Sequence, residues 1–180
     1  MVSLLKLEGK KDPFFLAWTI HKPSIPSKVV IPLKQSSGFE AVPCVEENQK
    51  VLTGQVIALP QHPSGVSVHA SISGKISGIY SAHHPLWGKS KAVEIISDQL
   101  DEKTELFGKE RVGWEKLTRE EMLKIFQDQG LADMTFSGES IHRRLDQKVS
   151  ALIINACESQ PYLTSNYCLM MSHSLEILKG

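Results

Sequence analysis

Between residues 40 and 97 the apolar positions fall in short runs with turn residues between them. Val42, Val51, Val56, Ile57, Val66, Val68, Ile76, Ile79, Val93, Ile95 and Ile96 recur, and Gly54, Gly65, Gly74 and Gly78 punctuate them. Runs this short, so bounded, predict β-strands rather than helices. Two stretches share a rhythm. One is Val51-Leu52-Thr53-Gly54-Gln55-Val56-Ile57, and the other is Ser73-Gly74-Lys75-Ile76-Ser77-Gly78-Ile79. The likeness predicts a small two-fold β-sandwich over residues 28–98.

This pattern suits the biotinyl/lipoyl kind of domain, the barrel-sandwich hybrid. Val29 to Leu33 is a β-branched run interrupted by Pro32, which predicts an edge strand. Residues 1–27 carry three of the nine prolines and predict an extended, irregular arm. Residues 99–116 are charged and poor in aliphatics. They predict a linker, with Phe107 and Trp114 as anchors on a neighbouring surface.

The pattern then changes period. Thr118 with Glu121 makes a capping box, and Met122, Leu123, Ile125 and Phe126 follow at helical spacing. This predicts a helix over 119–129, with Gly130 as the left-handed C-cap. Ser150 to Asn155 is a continuous apolar strand of the kind buried in parallel sheets. Tyr167 to Leu178 predicts a second helix. Residues 117–180 thus have the order of a partial α/β domain, so the expected fold is mixed: a β barrel-sandwich hybrid, then the start of a nucleotide-binding-like α/β unit.

Composition narrows the chemistry. The chain has 180 residues, is 41% hydrophobic and carries no net charge, so nothing favours nucleic acid or a polyanion. Cys44, Cys157 and Cys168 are odd in number and without CxxC spacing. They predict free thiols rather than a disulfide framework, a zinc site or iron–sulfur ligands. The N-terminus lacks the charge order of a signal peptide. No stretch approaches the roughly 18–20 apolar residues that span a bilayer. Membrane association is expected through partners alone.

Candidate chemistry in the β-module is sparse. Biotinyl and lipoyl carriers present a lysine at an exposed hairpin tip. The equivalent turn, Gln61 to Gly65, has none, and Lys75 falls on a strand, so a structural or docking role is expected. His62, His69, His83 and His84 are expected as surface or turn histidines. His83 and His84 are adjacent, point to opposite faces of a strand and cannot readily share a metal. Asp133 and Glu139 are expected as solvated loop carboxylates. No metal site and no catalytic triad is predicted.

Several motifs in order resemble the C subunit of the Rnf electron-transport complex, the RnfC family. Val29-Val30-Ile31-Pro32-Leu33 with Gln35 and Gly38 is similar to the family's VVIPLxQxxG. Val51-Leu52-Thr53-Gly54-Gln55 with Ile57-Ala58 is similar to VLKGQxIA, and Val68-His69-Ala70 with Ser73-Gly74 to VHAPVSG. Leu152 to Asn155, Pro161 to Thr164 and Leu169-Met170 match LIINGAECEPYLTxDDRLM, the most specific of the set. The family's Gly-Asp turn is Asn48-Gln49 here. Asn tolerates left-handed geometry best among non-glycine residues, so a positive φ is expected at Asn48.

The resemblance implies a loop, roughly GIVGLGGAGFPTHVKL, that holds FMN and NADH. This chain keeps Gly130, Gly138, His142 and Leu145 of it, but has Asp133, Thr135 and Phe136 at glycine positions and Glu139-Ser140-Ile141 in place of Phe-Pro-Thr. Glycines let backbone N–H groups approach a phosphate closely. A phenylalanine fills that space, and the two carboxylates repel the anion. At the strand end, Asn155 and Glu158 match the family, while Ser159, Gln160, Asn166, Tyr167 and Cys168 depart from it. These changes weigh against flavin and NADH. The cofactor-binding residues implied, if flavin does bind, are Gly130, Gly138, Asn155 and Glu158. The family's two cysteine-ligated iron–sulfur clusters belong to a later segment, with no ligands for them here.

The resemblance implies a peripheral subunit on the cytoplasmic side of the inner membrane. Its partners would be the membrane subunits of an ion-translocating NADH/ferredoxin oxidoreductase complex, with a docking or structural contribution from this chain. The alternative is a non-catalytic interaction module, a truncated or degenerate relative like the A subunit of the Na+-translocating NADH:quinone reductase.

Overall fold

The computed structural model describes residues 23–35, 39–105, 107–108, 113–132, 157–158 and 165–179. Seven strands lead: β1 Lys28–Pro32, β2 Val42–Pro43, β3 Lys50–Val51, β4 Val56–Leu59, β5 Val68–His69, β6 Gly74–His84 and β7 Gly88–Ser97. Helix α1 is Arg119–Asp128, and two short helices, α2 Ser165–Ser172 and α3 Ser174–Lys179, stand near the end. The strands form two antiparallel sheets, ordered β1-β7-β6-β3 and β2-β4-β5. This is the barrel-sandwich expected from the glycine-punctuated runs, with β1 on an edge.

The core lies between the sheets. Leu33, Val51, Ile57, Ile76, Val93 and Ile95 are all but fully buried, and Ile25, Val29, Ile31 and Ile79 pack against them. Alternation along β6 explains the choice of face: Ile76 is inward while Lys75 and Ser77 are exposed. Gly78, expected as a break between strands, does not end one. The register shifts between Ile76 and Gly78, a bulge absorbs the extra residue, and β6 continues to His84 paired with β7 throughout. The Tyr80 ring lies against the Gly78 position, covering the gap that a missing side chain leaves.

Two corners of the barrel are fixed by positive φ and the contacts around it. Asn48 has φ +70° and its N–H donates to the Ile76 carbonyl at 2.9 Å, as its place in the turn predicts. Gly74 sits at φ +153° directly against the Ile96 carbonyl, where a β-carbon has no room. Ser73, before it, is buried; its hydroxyl donates to Asp98 Oδ1 at 2.7 Å and accepts from Glu102 N–H at 3.1 Å. That contact, with the Leu100 N–H, holds the Asp98 carboxyl below its ordinary range.

Residues 98–104, within or beside the expected linker, lie along the barrel. Thr53 N–H donates to the Glu102 carbonyl at 2.8 Å, Thr104 N–H returns to the Thr53 carbonyl at 3.0 Å, and Thr53 Oγ1 donates to Asp101 at 3.2 Å. The Phe107 ring then covers Gly54, where φ is +84°. The second helix expected over Tyr167 to Leu178 is two helices, interrupted at His173. The strand expected at Ser150 to Asn155 lies outside the described residues.

Glu94 ties the edge strand to the sheet. Its carboxylate accepts from Tyr80 and Ser77 hydroxyls, both at 2.7 Å, and meets Lys28 Nζ at 3.1 Å. The Tyr80 hydrogen bond first, then Ser77 and Lys28, pull its pKa from 4.5 to about 2, while the same bond raises that of Tyr80. A carboxyl whose folded pKa is depressed contributes stability above its unfolded pKa and loses it as pH falls through the folded one. The stability difference between the unaltered chain and Glu94→Gln is therefore expected to shrink as pH drops from 4.5 to about 2. Urea unfolding midpoints across that window check it. At the turn, Asn48→Gly is expected to be near neutral and Asn48→Val to cost about 1–2 kcal/mol, since a β-branched residue resists the left-handed region.

Candidate functional site

Barrel and helix meet at the C-terminal end of α1, and the candidate site is that junction. The helix starts where local chemistry dictates. Thr118 N–H donates to Glu121 Oε2 at 2.8 Å and Glu121 N–H to Thr118 Oγ1 at 3.3 Å, a reciprocal capping box. It ends in a Schellman motif: Leu131 N–H reaches the Phe126 carbonyl at 3.0 Å and Gly130 N–H the Gln127 carbonyl at 3.2 Å, with Gly130 at φ +74°. Both ends agree with the sequence reading.

What the sequence did not announce is where the helix end docks. Gln127 Nε2 donates to the Pro63 carbonyl at 3.2 Å and the Gly65 carbonyl at 3.1 Å. Ser67 N–H donates back to the Gln127 carbonyl at 3.1 Å. These bonds close over the 61–65 turn, itself held by His62 Nδ1 against Ser64 Oγ at 2.6 Å and by Gly65 N–H on the His62 carbonyl at 2.8 Å. Carriers present their lysine at this turn. Here the turn has no lysine, and its Pro63 and Gly65 carbonyls are tied to the end of a helix while Gln61, His62 and Pro63 stay exposed.

Gly130 completes the seam. A β-carbon there would stand 2.5 Å from the Ser67 carbonyl and 3.4 Å from His69 Nδ1. The His69 ring is half-buried; burial lowers its pKa, and the nearby Asp128 carboxylate opposes that shift. A cleft of about 420 Å³ opens beside the seam, between β1 and the polar groups of Gln35, Ser67, His69, Ser71, Gln129 and Gly130.

Of the four residues implied for a cofactor, Gly130 borders this cleft. Glu158 is engaged elsewhere: its Oε1 accepts the Tyr167 N–H at 3.0 Å in the first turn of α2, while Asn166 Nδ2 donates to the Cys157 carbonyl at 3.1 Å. Gly138 and Asn155 lie outside the described residues, as do Asp133, Thr135, Phe136 and Glu139. Among the described residues no group of three or more His, Cys, Asp or Glu is placed to hold a metal, and no helix is long and apolar enough to cross a membrane.

Two of the histidines depart from their expected surface position, the half-buried His69 on β5 and His84. His62 is exposed in its turn and His83 is exposed on β6, but His84 is 5% exposed. Its Nδ1 accepts from Leu86 N–H at 3.0 Å and Trp87 N–H at 3.2 Å, and its Nε2 donates to the Lys34 carbonyl at 3.0 Å. The ring stacks on Trp87 with centroids 4.6 Å apart. With both nitrogens satisfied, His84 caps the β6–β7 hairpin and ties it to the end of β1. Its alternation against His83 was the available signal, but which of the two faced inward depended on the bulge at Ser77.

Fold and junction together define a barrel-sandwich hybrid that carries a docked helix in place of a carrier lysine. Residues 12–100 match the model of the RnfC barrel sandwich hybrid domain. The chain is 34% identical over 171 residues to the C subunit of the proton-translocating ferredoxin:NAD(+) oxidoreductase complex of Clostridium ljungdahlii, covering 91% of this chain and 37% of that protein. It is 32% identical over 162 residues to the C subunit of the ion-translocating oxidoreductase complex of Vibrio cholerae, covering 87% and 21%. It is 28% identical over 159 residues to the C subunit of the Na(+)-translocating ferredoxin:NAD(+) oxidoreductase complex of Acetobacterium woodii, covering 86% and 36%. The chain belongs to the RnfC family, and it spans between about a fifth and two-fifths of the length of these relatives.

Substituting Gly130 tests the seam. Gly130→Ala meets both the Ser67 carbonyl and an unfavourable φ. It is expected to cost about 1–3 kcal/mol and to loosen α1 while the barrel stays folded. Faster amide exchange at Ser67 and at Leu131, with β6 and β7 unchanged, is the pattern that checks it.

Proposed function

We propose that this chain provides the docking and structural part of an RnfC-like subunit in a membrane-bound, ion-translocating electron-transport complex of the ferredoxin/NAD oxidoreductase type. The observation that carries this reading is the tethered turn. The turn that would present a carrier lysine is held to α1 by Gln127, through the Pro63 and Gly65 carbonyls. A module so held offers surfaces and no swinging arm. The subunit is peripheral, on the cytoplasmic side of the inner membrane, and its partners are the membrane subunits. Residues 1–27 act as an arm, 28–98 as the barrel, 99–116 as a connection and 117–180 as the beginning of the α/β unit.

In this form the chain works without FMN or NADH bound at the 130–145 loop. The support is chemical: Asp133, Thr135 and Phe136 replace the glycines with which the family's loop admits a phosphate. Glu158, one of the two strand-end residues a flavin would use, already accepts a helix N–H. No observation favours the alternative kinship with the A subunit of the quinone reductase.

Two measurements test this reading. The complex isolated from membranes of the source organism is expected to contain this chain as a stoichiometric component, released by washes that leave integral subunits in place. Absence from the isolated complex overturns the docking role. The purified chain is expected to bind FMN only weakly, and Asp133→Gly, Thr135→Gly and Phe136→Gly together to tighten binding about tenfold or more, the effect of roughly 1.4 kcal/mol. Fluorescence quenching of the flavin reads it, and unchanged affinity removes the glycine account of the loop.

A further inference from the structure

The outer face of the four-stranded sheet carries a basic row that the fold does not neutralise. Register places Lys50 opposite Lys75, Lys75 opposite Ile96, and Ile96 opposite Lys28. Residues paired across antiparallel strands point to the same face, so these four side chains stand in one line across β3, β6, β7 and β1. Their sequence neighbours Val51, Ile76 and Ile95 point the other way, into the core. At ordinary strand spacing the line is about 14 Å long. All four residues are exposed, Ile96 by 50%.

Only one of the lysines is answered. Lys28 Nζ meets Glu94 at 3.1 Å. Among the described residues neither Lys50 nor Lys75 forms an ion pair. Asp98 is near enough to Lys50 to feel its charge, but its Oδ1 is taken by the Ser73 hydroxyl at 2.7 Å and the Leu100 N–H at 3.0 Å. Like charges directly opposite on a sheet are destabilising, so folding alone gives no reason to set Lys50 against Lys75.

We propose that this face is the docking surface of the chain, and that its occupant is a protein of the same complex that presents carboxylates beside an apolar side chain. The proposal rests on the docking reading above and names the surface and the chemistry of the partner. Charge complementarity carries it. Carboxylates over Lys50 and Lys75 relieve the repulsion between them. The apolar side chain covers Ile96, with Val30 and Tyr80 exposed beside it on the same face. An apolar centre with a polar rim is the ordinary anatomy of an interface. A second copy fits poorly, because two-fold docking of this face on itself sets one basic row on another. An anionic bilayer also fits poorly, since its attraction counts by the charge and two unpaired lysines hold a chain on lipid only weakly.

Rebinding of the full chain to washed membranes of the source organism tests the surface. The unaltered chain is expected to rebind, more weakly as salt rises, and not to bind membranes of a strain that lacks the integral subunits of the complex. Lys50→Glu with Lys75→Glu is expected to lower the affinity at least about tenfold and to abolish the fall with salt. Ile96→Ser is expected to lower it about fivefold and to leave the salt dependence as it was. Lys89→Glu with Lys116→Glu makes the same change of charge at exposed positions off the row, and is expected to rebind like the unaltered chain. Amide exchange in β6 and β7 checks that each variant is folded. Full rebinding by the Lys50, Lys75 variant overturns this surface and leaves the docking reading standing, whereas failure of the unaltered chain to rebind overturns both. Equal loss in the Lys89, Lys116 control shows a general effect of charge and displaces the proposal. Binding to protein-free phosphatidylglycerol vesicles as tight as to the membranes, and lost in the Lys50, Lys75 variant, identifies lipid as the occupant and displaces it. A dimer in sedimentation that the same variant dissociates identifies a second copy and displaces it as well.

Discussion

Close approach to the main chain at three glycines, by a ring at one and by a carbonyl at two, is the constraint on which the rest depends. At Gly54 the Phe107 ring lies over the backbone, at Gly74 β6 presses on the Ile96 carbonyl, and at Gly130 the end of α1 presses on the Ser67 carbonyl. Each position has a positive φ and no room for a β-carbon. Each also stands beside hydrogen bonds that join separate parts of the chain: Thr53 to residues 102–104, Ser73 to Asp98, and Ser67 to Gln127. The glycines do not make those bonds. They leave room for a ring or a carbonyl against the backbone, so that the parts come near enough for the bonds to form.

The same constraint separates this module from the carriers whose architecture it shares. A carrier needs its tip free to travel with an attached group. Here the tip is a buttress, because the Gln127 amide supplies donors to carbonyls that an exposed turn would leave to water. The barrel and α1 are therefore joined by specific polar bonds rather than by apolar burial, and no residue of α1 is fully buried. Such a seam fixes direction more than it adds stability. It sets the point at which the chain leaves the barrel toward the segment that, in the family, carries the cofactor loop.

Much of the barrel and helix was legible because it is governed by neighbours in sequence. Thr118 and Glu121 satisfy each other's donors within one turn, Gly130 supplies the left-handed cap, Asn48 adopts the positive φ its turn requires, and Pro32 marks an edge because it lacks an N–H. The burial of His84 was not legible, since it follows from a bulge that shifts the alternation of β6. The unity of β6 was missed for the same reason: Gly78 looks like a break until Tyr80 is seen to cover it. At the candidate site Gly130 was found as a cap and a possible cofactor residue, while Gln127 carried no signal at all.

Sequence alone announced a β-module punctuated by glycines, the edge position of β1, helix α1 with both its caps and the kinship with the RnfC family. All of these follow from propensities and spacings that act over a few residues. Tertiary packing alone places residues 98–104 along Thr53 and brings Gln127 onto the 61–65 turn. Those outcomes depend on hydrogen bonds between residues far apart in the chain, such as Gln127 and Pro63. A donor's partner at that separation is set by how the sheets stack, which no local pattern encodes.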